Sequence, residues 1–96
     1  MSADEVIARL NEAKGTLVTA KDSGLRAVSA IVQARNLVGH ALGRQSAGAQ
    51  LISAIHVEEK ALLGRIMGID TLVTRVDAAI EQTEVIGDTG GGGRSA

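Results

Sequence analysis

The chain has 96 residues, ten basic and eleven acidic side chains for a formal net charge of −1, and no proline, cysteine or aromatic residue. That length suits one small domain. The missing cysteines exclude disulfides and thiolate metal sites, and the near-neutral balance lacks the electrostatic footprint of a nucleic-acid binder. Ala, Val, Ile and Leu must therefore supply any core. No apolar run approaches the roughly 18 residues of a spanning helix. No basic segment followed by an apolar block marks a Sec-type leader. The expectation is a cytoplasmic protein, or one secreted without a Sec signal peptide.

Apolar residues recur at alternating spacings of four and three, and period two is absent, so the fold class reads as all-α. Ser2 opens the chain as a helix cap, with Glu5 placed to complete a capping box. The first stripe runs Val6, Leu10, Ala13, Leu17, Ala20, Gly24, Ala27, Ile31, Ala34, Val38, Ala41, which predicts a helix over about 3–42. Asp22, Ser23 and Gly24 form a break-and-recap signal inside it. The heptad keeps its phase through Gly24, however, which favours one continuous or slightly bent helix. Gly43, as a left-handed C-cap, and Ser46, as the next N-cap, place a turn at about 43–46.

The second helix is expected over about 47–85, with the stripe Gly48, Ile52, Ile55, Glu59, Leu62, Ile66, Ile69, Val73, Val76, Ile80, Thr83. Gly87 is expected to stop it, leaving 87–96 as a flexible glycine-rich tail. That tail follows no strand and contains no Lys-Ser/Thr pair, which argues against a phosphate loop.

The two stripes complement each other as an antiparallel, coiled-coil-like hairpin spanning 1–86. The expected layers pair Ala41 with Ile52, Val38 with Ile55, Ala34 with Glu59, Ile31 with Leu62 and Ala27 with Ile66. They continue as Gly24 with Ile69, Ala20 with Val73, Leu17 with Val76, Ala13 with Ile80 and Leu10 with Thr83. Small residues would then face branched ones, which keeps the packed volume even. Charge agrees with this pairing, because residues 1–47 carry six basic and four acidic side chains and the remainder four and seven. Lys14 should meet Asp77, and Lys21 should meet Asp70. Such surface pairs, worth about 0–1 kcal/mol each, set register more than stability.

One seam cannot cover every apolar residue. Ile7, Val18, Leu25, Val28 and Val32 line a flank of the first helix, and Leu63 and Met67 extend it onto the second. A contiguous patch of this kind marks an interface. The expected partner is a second copy, giving a homodimeric four-helix bundle, or a paralogous helical hairpin.

Chemistry is sparse. His40 and His56 belong to no catalytic arrangement, and the segment facing His56 and Glu59 offers Ala34 and Arg35 where a bundle metal site needs carboxylates. No enzyme activity, cofactor or metal is expected. Glu59 interrupts an apolar stripe. It is either a register-fixing group paired with Arg35, or a carboxylate reaching out to water. The glycine pairs Gly39/Gly43 and Gly64/Gly68 either thin the helices locally or admit a close partner helix.

This layout resembles the Trp-X-Gly (Esx-like) proteins of type VII secretion. At the turn, Ala41-Leu42-Gly43 stands where that family carries Trp-X-Gly, so Gly43 is the residue that matches. The chain has no tyrosine for the family's C-terminal signal. The resemblance implies two antiparallel helices, homo- or heterodimeric association, and a role as component or partner of a secreted effector or toxin. A cytoplasmic assembly protein that builds a larger helical oligomer is the alternative.

Overall fold

The computed structural model describes the backbone of residues 1–93 and the side chains of residues 1–86. Two long helices account for it: α1 spans Ala3–Leu42 and α2 spans Ser46–Gly93. Ser2 caps α1, its Oγ accepting the Glu5 amide at 3.1 Å while its carbonyl accepts the Val6 amide at 3.0 Å. Four threonines settle their hydroxyls inside the helices. Thr16, Thr19, Thr74 and Thr83 each donate to the carbonyl four residues earlier, which removes a polar group that would otherwise compete with the ladder.

The helices end and begin at the turn within one residue of expectation, but their caps differ. Gly43 is not left-handed, since no described residue has a positive φ. The chain instead turns through the Gln45 amide donating to the Leu42 carbonyl at 2.8 Å, and the Gln45 carbonyl then accepts the Ala49 amide at 3.1 Å. Gln45 thus holds the capping position and Ser46 is already helical. Gly48 is buried, and a Cβ there would collide with the Leu42 carbonyl oxygen and approach its Cβ to 2.8 Å. The first turn of α2 can sit this close to the end of α1 because residue 48 has no side chain.

At the other end α2 passes Gly87, the expected stop, and continues to Gly93. Glycine lowers helix propensity by about 1 kcal/mol per residue, but it lacks the steric block of proline. The last three residues of the expected tail, 94–96, lie outside the described residues.

The chain divides into two compact units: Lys21–Gly68, and Met1–Ala20 with Ile69–Ala96. In the Lys21–Gly68 unit the two helical segments run antiparallel around the turn. Gly39 lies beside Ile52, Arg35 pairs with Glu59, and Gly24 lies beside Ile66. The covered positions of α2 in this unit are Gly48, Ile52, Ile55, Glu59, Leu62 and Ile66. Those of α1 are Lys21, Gly24, Val28, Ile31, Val32, Arg35, Val38, Gly39 and Leu42. In the other unit Ala3, Val6, Ile7, Leu10, Lys14 and Leu17 are half-buried on α1, as are Ile69, Val73, Val76, Asp77, Ala79, Ile80 and Thr83 on α2.

These stripes move the expected seam of α1. Ala13, Ala20, Ala27, Ala34 and Ala41 are all exposed. The covered column is instead Ile7, Lys14, Lys21, Val28, Arg35 and Leu42, one residue further along the chain. The change rotates the seam by about 50°, half the step between consecutive residues. Its physical reason is the reach of basic side chains. Lys and Arg lay aliphatic stems on the seam and carry their charge to its edge, where Lys14 Nζ meets Asp77 Oδ1 at 2.8 Å. Ile66 reaches toward Gly24, nearly one turn from the expected Ala27, while Lys14–Asp77 and Arg35–Glu59 pair as expected.

Candidate interaction surface

The most enclosed chemistry belongs to Glu59. Its side chain is 14% exposed and that of Arg35 30%, and the Arg35 guanidinium donates to Glu59 Oε1. His56 Nδ1 stands 3.7 Å from the same oxygen, on a half-exposed ring one turn earlier in α2. The helical spacing of His56 and Glu59 and the antiparallel run of α1 bring these three groups together. They form an ion pair with a peripheral imidazole. No described side-chain nitrogen or oxygen is buried without a partner, and no three metal-ligating side chains gather among the described residues. Concave surface is shallow: a depression of about 300 Å³ at the turn is lined by the consecutive residues 39–45, not by facing elements.

Apolar exposure is far more extensive. Among the described residues Ile66, 5% exposed, is the one buried hydrophobic, while eleven large hydrophobic residues are exposed. In the Lys21–Gly68 unit these are Leu25, Leu37, Leu51, Val57, Leu63 and Met67; in the other unit they are Met1, Val18, Leu72, Val85 and Ile86. Of the flank anticipated from sequence, Val18, Leu25, Leu63 and Met67 are exposed, whereas Ile7, Val28 and Val32 are half-buried. Ile7 and Val28 belong to the covered column of α1 and so serve the hairpin itself. Leu37, Leu51, Val57, Leu72, Val85 and Ile86 escaped the sequence reading because they lie off both heptad columns and outside the one flank that was followed. Their signal was being apolar at positions where a solvated helix face carries charge.

Gly15, Gly64 and Gly68 have open space where a Cβ would stand, whereas a Cβ on Gly24 would lie 2.9 Å from Ile66 Cγ1. Gly24 is therefore a socket, and it offers no break. Ala41, at the position of the Esx-like tryptophan, is exposed, and Leu42 is half-buried beneath the turn. Among the described residues no helix is long and apolar enough to cross a membrane. No family model matches the chain, and no curated protein or solved structure matches it significantly.

Proposed function

We propose that this chain is a non-enzymatic helical interaction module whose working form is an assembly, with a second copy or a paralogous hairpin completing a four-helix bundle. The observation that carries this reading is the imbalance between one buried and eleven exposed large hydrophobic residues.

The finer reading is a component or partner of a type VII secreted effector or toxin. It draws support from the two-helix plan with its three-residue turn, 43–45. Light scattering across the micromolar range tests the assembly. A discrete dimer is the expected result. A large ring or filament would favour the assembly-protein alternative, and a chain that stays monomeric alone and finds no paralogous partner would overturn the proposal.

A further inference from the structure

Resting on the self-association reading above, we propose that a second copy docks α2 against α2, antiparallel, with Glu58 of each copy against Arg65 of the other. The face lies on the Lys21–Gly68 unit, on the flank opposite Leu25 and Leu63. Glu58 and Arg65 stand seven residues apart on α2 and so share one face; each comes one position before a covered residue, Glu59 and Ile66, and both are exposed. Neither has an oppositely charged residue three or four positions away, the spacing at which a helix pairs its own charges. Along the sequence the column continues with Leu51 seven residues before and Leu72 seven after, both exposed. Ala54, Ala61 and Gly68, small and exposed, border it at the same spacing. Read in the opposite direction, leucine, acid, base, leucine becomes leucine, base, acid, leucine. Each charge then meets its opposite, which is what a two-fold contact demands of one surface.

Acid and base lie on one helix, so the symmetry places them directly. A two-fold axis perpendicular to α2, level with the midpoint of Glu58 and Arg65, carries α2 onto an antiparallel α2. It brings Glu58 to the level of the other copy's Arg65, on the same edge of the contact, and does so twice. The first helix fits the same axis. Ala27, Ala34 and Ala41 each come one position before a covered residue of α1, Val28, Arg35 and Leu42, and are exposed. In an antiparallel pair such positions border the seam on the same side, so these alanines share the flank of Glu58 and Arg65. Leu25 and Leu63 follow covered residues and border the other side. Gly39 beside Ile52 and Arg35 on Glu59 put the axis level with about residue 31 of α1, midway between Ala27 and Ala34. Alanines then face alanines, and their single methyl groups let α1 approach its copy closely. A two-fold axis parallel to the helices would set α2 against α1 instead. Glu58 and Arg65 would then lie level with Ala34 and Ala27, and both charges would go unanswered.

Sedimentation velocity on the full chain tests this pairing, comparing wild type with Glu58→Arg, Arg65→Glu, the double variant and an equimolar mixture of the two single variants. Each single reversal sets two like-charge contacts in its own dimer and should weaken association about 10-fold at low salt, an effect that shrinks as salt rises. The double variant should return to within about 3-fold of wild type. The mixture should recover equally, because one chain then presents two arginines to the two glutamates of the other. Circular dichroism at concentrations that saturate each dimer should show equal helicity, because both side chains are exposed. A wild-type dimer that neither reversal weakens would overturn this face while leaving self-association standing. Weakening that either the double variant or the mixture fails to restore would overturn the Glu58–Arg65 pairing. A monomeric wild type would remove the self-association reading and this face with it.

Discussion

Arg35 and Glu59 show how one polar pair governs an aliphatic seam. With 14% of its side chain exposed, the Glu59 carboxylate has given up much of its hydration, and the Arg35 guanidinium returns it as a charge-assisted hydrogen bond. Truncating one partner leaves the other charge covered and unpaired, which costs more than the pair contributes. Arg35→Leu should therefore destabilise the chain by about 1–2 kcal/mol, while Arg35→Leu/Glu59→Leu should recover most of that loss. Urea unfolding of the two singles and the double, read as a mutant cycle, checks the coupling. Lys14–Asp77, with side chains 39% and 47% exposed, is a water-screened pair, so its removal should cost little. Both pairs were foreseen from residue type and spacing. The sequence reading still gave the seam to alanine, because a basic residue was assigned to water before its stem was considered.

Within an element, glycine has opposite meanings at different positions. Substitution by alanine in a helix interior gains about 1 kcal/mol of propensity where the new methyl meets nothing. Gly64 has that open space, so Gly64→Ala should raise stability by about 0.5–1 kcal/mol. At Gly24 the methyl would press on Ile66 at 2.9 Å and 3.2 Å, and overpacking of this kind costs about 1–3 kcal/mol. Gly24→Ala should therefore be destabilising or neutral, and thermal melts of the two variants at equal concentration should place Gly24→Ala below Gly64→Ala. Failure of Gly24→Ala to fall below Gly64→Ala would remove the socket. The heptad phase through Gly24 revealed the unbroken α1 in the sequence. The turn was less legible, because Gly43 and Ser46 carry local propensities, whereas the approach of Gly48 to the Leu42 carbonyl depends on how two helix ends meet.

For the whole molecule, the exposed apolar residues are the dominant fact. A folded state that binds itself is stabilised by mass action, since the unfolded chain lacks the docking face. Under the proposed self-association the melting temperature should therefore rise with protein concentration. Calorimetry at two concentrations a hundredfold apart should show an increase of several degrees for a 96-residue chain. A concentration-independent midpoint would contradict obligate association.

The sequence by itself determined that the protein is helical, that α2 carries a seam from Gly48 to Thr83, and that α1 crosses Asp22–Gly24 without stopping. These follow from local periodicity, which needs no knowledge of a partner. Tertiary structure alone decided that α1 covers Ile7, Lys14, Lys21, Val28, Arg35 and Leu42 and leaves the alanine column exposed, and that Ile66 sits against Gly24. Alanine is compatible with both a seam and a surface, and an arginine or lysine stem can lie on either. Only the reach of those stems toward Glu59 and Asp77, together with the space left at Gly24, separates the two arrangements.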